Sequence, residues 1–334
     1  MVFDLAFVWA GLIAFAVLAY VILDGFDLGI GLVFPFMRGK DEKDLAMNSV
    51  APVWDGNETW LVLGGGGLFA VFPLAYAVVM PAVYAPITAM LLGLIFRGVA
   101  FEFRHRTQRG RWLWDTAFAG GSLVAALSQG IVLGALVQGI AVENRAYAGG
   151  NWDWLSAFSV LTGIALVAGY AMLGSAWLVM KTQGPVRERS RQLAWISGAA
   201  TLALLGAVSL ATPFLNDGYL SRWFAIPNVF YTVWVPALVL VAAFFYVRGL
   251  RQGRDSWPFL SALAVFVLSF IGLGISFYPH IVPPDLTIWQ AAAPDSSLAF
   301  LLVGALVLLP LILGYTAYAY WVFRGKVDPS EGYH

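Results

Sequence analysis

Residues 20–34 read YVILDGFDLGIGLVF, and residues 51–67 read APVWDGNETWLVLGGGG. Both are strongly apolar, and each carries two acids: Asp24 and Asp27 in the first, Asp55 and Glu58 in the second. Each pair is spaced i, i+3, which places both carboxyls on one face of a helix. A carboxylate in a bilayer-spanning helix is expensive, so it faces a protein interior, a polar cavity or an ion path. These two stretches point to membrane helices as the architecture, and to the acids as the place where function resides.

The rest of the chain agrees with the first inference. It has 334 residues, is 60% hydrophobic and 11% charged, and has a mean hydropathy of +0.78, the composition of a polytopic membrane protein. With no cysteine, the chain can hold no disulfide, zinc thiolate, iron–sulfur cluster or thiolate-bound haem. The start, MVFDLAF, lacks a basic region, and no cleavable signal peptide is evident. Nothing resembles a nucleotide loop, a nucleophilic triad or a metal cluster.

Working outward, nine apolar stretches are long enough to span: roughly 5–36, 50–72, 75–101, 113–141, 156–182, 189–212, 225–248, 256–278 and 296–323. The first has residues to spare and is expected to tilt, bend or project, with Gly29, Gly31 and Pro35 as bend points. No loop is long enough for a separate soluble domain, so residues 1–334 read as one membrane domain. Trp112, Trp114, Trp152, Trp154, Trp223, Trp257, Trp289 and Trp321 fall near span ends and read as interfacial anchors.

Charge gives the orientation. Arg38, Lys40 and Lys43 follow span one, and Arg104, Arg106, Arg109 and Arg111 follow span three. Lys181, Arg187, Arg189 and Arg191 follow span five; Arg248, Arg251 and Arg254 follow span seven; Arg324 and Lys326 follow span nine. That puts 16 of the 19 basic residues on one side, against Arg145 and Arg222 on the other and Arg97 inside span three. The positive-inside rule then predicts a periplasmic N-terminus and a cytoplasmic C-terminus. The basic surface at Arg104, His105, Arg106 and Arg109 suits lipid head groups rather than nucleic acid.

Depth orders the acids. Asp55 would lie ~10 Å along a helix from Asn48, with Glu58 one turn deeper, and Arg97 ~10 Å before Arg104. Asp27 and Asp24 would lie ~17 and ~21 Å before Arg38. Such a ladder, rising from the basic side, suits proton uptake through carboxylates and water, with Arg97 setting the electrostatics. A purely structural alternative stands beside it. Asp55 would favour the dipole of its helix, Arg97 would snorkel, Asp24 or Asp27 would bridge to Arg97, and Glu58 and Glu102 would be solvated. The four glycines Gly64–Gly67 read as a helix-packing surface or as a place for a cofactor against the backbone. Gln129 and Gln138 are polar but ambiguous. The three histidines, His105, His280 and His334, do not share a span, which argues against a bis-histidine haem within this chain.

Four motifs in order, DGFDLG (24–29), WDGNETWL (54–61), FRGVAFEFR (96–104) and YPHIVPPDLTIWQAAAPDSSL (278–298), resemble subunit II of the bacterial cytochrome bd-type quinol oxidases, including the cyanide-insensitive branch. The likeness covers essentially the whole chain. It implies an all-α fold of two four-helix bundles plus a peripheral helix, in the bacterial inner membrane. It implies a complex that oxidises ubiquinol or menaquinol and reduces dioxygen to water, building a proton gradient without pumping. The haems, b and d or b alone, would belong to a haem-bearing subunit I and none would be ligated by this chain. A small single-span accessory subunit and a structural quinone occur in some members. By the same resemblance the proton-path role falls on Asp55, with Asp24 and Asp27 as neighbours, and Trp54 and Arg97 as supports near the partner's haem; the depth ladder adds Glu58 to the path. A stand-alone secondary transporter would show paired broken helices in an inverted repeat, and no such repeat is visible. A purely structural assembly subunit would use the acids as bridges.

Overall fold

The computed structural model describes residues 4–327; His334 lies outside them. Helix α1 (Leu5–Val33) starts where the Asp4 carboxylate accepts the Phe7 N–H at 2.9 Å, and a short 3-10 turn, Phe34–Phe36, ends it. Then come α2 (Gly39–Asn48), α3 (Trp54–Val71), α4 (Pro73–Ala82), α5 (Tyr84–Arg106) and α6 (Arg111–Gln138). A two-stranded hairpin, β1 (Val142–Glu143) with β2 (Ala146–Tyr147), leads into α7 (Ala157–Lys181). Ser156 and Ser159 form a capping box at the start of α7. Helices α8 (Gly184–Ala211), α9 (Asp217–Phe224), α10 (Asn228–Thr232), α11 (Trp234–Gln252) and α12 (Ser256–Phe277) follow. The proline-rich loop folds as a second hairpin, β3 (His280–Val282) with β4 (Leu286–Thr287), then α13 (Ile288–Ala291), and α14 (Asp295–Val322) closes the chain.

Among the described residues eight stretches are long and apolar enough to cross a bilayer, or nine where the bent pair α3 and α4 is taken as one span. Helices α1, α3, α5 and α6 form one bundle; α7, α8, α11 and α12 form the other; α14 runs along the periphery. The bundles are joined along α1–α7 and α6–α7 by glycines. A Cβ on Gly29 would run into the Tyr170 carbonyl and Gly174, and one on Gly130 would lie 2.7 Å from the Thr162 carbonyl. Close backbone approach of this kind is how helices associate where apolar side chains gain nothing over lipid.

The sequence-based boundaries hold with three changes. Spans two and three, expected at 50–72 and 75–101, are interrupted differently: the chain bends by 119° at Phe72 into α4, and the third span begins at Tyr84. Pro73 opens α4, where its missing N–H costs no helical bond. Second, α5 continues past the expected end at 101 to Arg106, so His105 lies in its last turn. Third, Arg104 is buried, bonded to Asp44 and, at 2.6 Å, to Asp115, and so is withdrawn from the expected lipid-facing basic surface. The extra residues of span one form the bend at Phe34–Phe36 that turns the chain into α2, close to the expected Pro35.

Candidate functional site

The first bundle buries charge. Arg97 on α5 and Asp24 and Asp27 on α1 are each fully excluded from solvent. Arg97 Nη1 lies 3.0 Å from Asp24 Oδ1 and 3.7 Å from Glu58 Oε2, and Nη2 lies 3.8 Å from Asp27 Oδ2. Three helices thus bring three carboxyls around one guanidinium. The i, i+3 spacing does the work on α1, turning Asp24 and Asp27 to the same side. On α5, Arg97 fits because α6 presents Gly121, where a Cβ would lie 3.1 Å from the Arg97 amide nitrogen. The guanidinium also sits 5.7 Å over the Phe101 ring.

The ionic contacts are not squarely aimed hydrogen bonds: no guanidinium nitrogen of Arg97, and neither Asp24 oxygen, has an aligned partner among the described side chains. Asp27 is held better. Asn57 Nδ2 donates to Asp27 Oδ2 at 2.8 Å, and the Tyr320 hydroxyl on α14 donates to Asn57 Oδ1 at 2.8 Å. Tyr320 in turn packs against Phe26 and Trp177, which stack at 4.3 Å. The peripheral helix therefore reaches the acid cluster through one tyrosine.

Glu58 is the open member: its side chain is 27% exposed, against none for Asp24, Asp27 and Arg97. Asp55 stands apart from the cluster, exposed in the first turn of α3, one turn nearer the basic end than Glu58. It heads a stripe of exposed residues, Asp55, Thr59, Val62, Gly66 and Phe69, with helical spacing along one face of α3. Trp54 stacks on Phe101 at 4.8 Å and braces the helix carrying Arg97. Of the sequence-predicted residues, Asp24, Asp27, Glu58 and Arg97 come together, while Asp55 and Trp54 flank them. Asn57 and Tyr320 were not anticipated. Asn57 lies in the same polar run as Asp55 and Glu58, but Tyr320 is far along the chain with no signal in its surroundings.

The glycine run divides. Gly64 lies 3.4 Å, as a notional Cβ, from Val17 and Gly67 2.5 Å from Ile13, so these two pack on α1; Gly65 and Gly66 face open space. Glu102 is exposed, 3.9 Å from Arg106. His105 and His280 lie at opposite ends of the chain's spans, on α5 and β3, so the described histidines do not face each other as paired haem ligands would.

The comparisons with known proteins cover the entire fold. Residues 5–323 match the family described as cytochrome bd terminal oxidase subunit II. Cytochrome bd-I ubiquinol oxidase subunit 2 of Escherichia coli (strain K12) is 29% identical over 364 residues, spanning 98% of this chain and 96% of that protein. Cytochrome bd ubiquinol oxidase subunit 2 of Bacillus subtilis (strain 168) is 29% identical, with 97% of each chain covered. The bd oxidase structure from Geobacillus thermodenitrificans superposes with a TM-score of 0.75 at 20% identity, over 96% of this chain and 99% of that one. The chain belongs to the cytochrome bd terminal oxidase subunit II family, and so is the second subunit, beside a subunit I, of a haem-containing oxidoreductase of the bacterial inner membrane.

Proposed function

We propose that this chain supplies the route by which protons enter the oxidase from the cytoplasmic side. In this reading the complex oxidises ubiquinol or menaquinol and reduces dioxygen to water. The haems, b and d or b alone, sit in subunit I; a small accessory subunit and a structural quinone belong to some members of the family. The N-terminus is periplasmic, and the single membrane domain turns its basic loops to the cytoplasm.

The observation that carries the proposal is the graded exposure of the acids. Asp55 is exposed at the basic end, Glu58 is partly open one turn deeper, and Asp24 and Asp27 are sealed beyond it beside Arg97. One guanidinium balances one carboxylate, and the remaining carboxyls are places where a proton can rest in transit. The stripe below Asp55 is uncovered by this chain, although a carboxylate is not stable against lipid. It therefore suits a face packed on the partner subunit, with Asp55 handing protons across that interface and Trp54 and Arg97 supporting it from behind. Steady-state turnover of the purified complex tests this. Asp55→Asn is expected to slow quinol oxidation while haem content stays near normal, and full turnover would remove Asp55 from the route.

A second reading has its own observation. The 3.0 Å contact between the fully buried Arg97 and Asp24 is what a structural lock would look like. Under that reading acid-to-amide changes alter assembly, and the complex that does assemble runs at the parental rate.

A further inference from the structure

Tyr320 reaches the acid cluster from the span that this chain covers least. Among the described residues of α14 only Leu298, near its start, is buried. That end is tied by the Trp9 indole, which donates to the Leu298 carbonyl at 3.0 Å. Yet Tyr320, in the last turn, meets Asn57 Oδ1 at 2.8 Å. A hydrogen bond of that length requires the helix to be fixed in both height and rotation.

The fixing lies just past the helix. Lys181, the last residue of α7, donates its ammonium to the Phe323 carbonyl and, at 2.8 Å, to the Gly325 carbonyl. Phe323 is the C-cap of α14, so a cation from the other bundle sits on the negative end of the helix. The Val327 N–H donates to the Lys181 carbonyl at 2.9 Å. Lys326 Nζ donates to the Thr182 carbonyl at 3.0 Å and lies 2.6 Å from Asp255, which Arg187 holds at 2.7 Å. Residues 323–327 are thereby clasped between the end of α7 and the start of α12. Lys181 is itself buried, 5.2 Å over the Trp177 ring, so the clasp is more than a surface ion pair.

At the other end of the link, Tyr320 decides how Asn57 is used. Its hydroxyl occupies Asn57 Oδ1, and the amide nitrogen is left to Asp27 Oδ2 at 2.8 Å and to the Leu23 carbonyl. Turned over, the amide would set its oxygen against a carboxylate and a carbonyl, which is repulsive. Asn57 is buried, so without Tyr320 its oxygen would be an acceptor with no donor. Among the described side chains Asn57 is the aligned donor that Asp27 has.

We propose that Lys181 and Tyr320 are positioning residues for the acid cluster. The clasp on residues 323–327 fixes the register of α14, and Tyr320 passes that register through Asn57 to the Asp27 carboxyl. This rests on the proton-route reading above and refines it: the place of Asp27 is set from the second bundle, through α7 and the peripheral helix.

The test is the haem-normalised kcat, with the KM for quinol, of the purified complex carrying Lys181→Met, Tyr320→Phe, or both, with Glu58→Gln measured in parallel. Each single change is expected to lower kcat about three- to tenfold, the scale of one lost buried hydrogen bond, and to leave KM unchanged. The double variant is expected to be no slower than Tyr320→Phe, because both changes break one link. Parental kcat in the single variants, with Glu58→Gln slowed, overturns this proposal and leaves the proton route standing. Losses that multiply in the double variant, or a changed KM, overturn it equally. Parental rates for Glu58→Gln and Asp55→Asn would overturn the route itself, and this proposal with it. If Lys181→Met does not assemble, Lys326→Met opens the clasp at its more exposed side. It is expected to lower kcat alone and to add nothing to Tyr320→Phe, and a parental kcat in that variant overturns the proposal.

Discussion

The two four-helix bundles share an architecture and differ in what they bury. The bundle of α1, α3, α5 and α6 encloses Arg97, Asp24, Asp27 and Asn57. The bundle of α7, α8, α11 and α12 confines its Asp, Glu, Lys and Arg residues to helix ends, and its interior polar groups include hydroxyls such as Thr162, Ser175 and Thr201. Hydroxyls of this kind bond back to their own helix, as Thr201 does to the Ser197 carbonyl at 2.7 Å, and cost the membrane little. Buried charge has no such local remedy and is retained at a cost in stability. The contrast teaches that the second bundle is a scaffold for the first. The scaffold presses Gly174 on Gly29, sends Tyr170 to Gln129, and packs Trp177 on Phe26 below Asp27.

The most damaging way to break the contrast is to remove the charge that balances the acids. Arg97→Ala leaves the sealed acids of α1 without a balancing cation, a change expected to cost ~3–5 kcal/mol and to lower the yield of haem-loaded complex sharply. Equal yield and a parental melting temperature would show that the acids are not charged in the assembled protein. Next is the contact between the bundles. Gly29→Ala forces a methyl into the Tyr170 carbonyl and is expected to destabilise the chain by ~1–3 kcal/mol, read from thermal unfolding in detergent. The same change at Gly65, which meets open space within this chain, serves as the control; an equal loss there would mean that α3 is covered along that face by the partner.

Much of this was open to reading in the sequence, and the reason is the solvent. Lipid punishes unsatisfied backbone and stray charge, so the spans, the acids and Arg97 stand out from their surroundings. The places that were misplaced are those where this signal fades. Residues 73–82 are as apolar as a span, and the bend at Phe72 follows from Pro73 together with packing on β2, β3 and α13, none of which hydropathy reports. Arg104 looked like another interfacial cation because its partners Asp44 and Asp115 lie on separate helices. Tyr320 carries no charge, and its link to Asn57 exists through the register of α14 against α1 and α3. Asp55 and Glu58 share a motif but not an environment: their i, i+3 spacing was legible, whereas which of them turns to Arg97 depends on how α3 is rotated.

A smaller effect sharpens the contrast at the basic end, where loops of both bundles meet. Burial pushes the Glu42 carboxyl up, but the Arg38 backbone N–H and the Arg189 guanidinium at 3.0 Å outweigh it and hold it below the usual range. For Asp255 burial likewise pushes up, and Lys326 at 2.6 Å and Arg187 at 2.7 Å outweigh it. Both folded-state values are depressed. Their contribution is therefore complete above the ordinary carboxylate range and is lost as the pH falls through the lowered values. These half-exposed pairs are worth under about 1 kcal/mol each. Glu42→Gln and Asp255→Asn are expected to lower the melting temperature slightly at neutral pH and to have no effect at an acid pH below the lowered values, where the carboxyls are protonated. An equal deficit at both pH values would assign the loss to packing.

The central claim is that the first bundle's acids move protons and the second bundle's residues hold them in place. The most direct measurement is the haem-normalised quinol oxidase turnover of the purified complex carrying Glu58→Gln, the acid that joins the exposed Asp55 to the sealed cluster. The account predicts a fall of about tenfold or more with haem content unchanged. Parental turnover in a fully haem-loaded complex would contradict it and leave the cluster a structural lock.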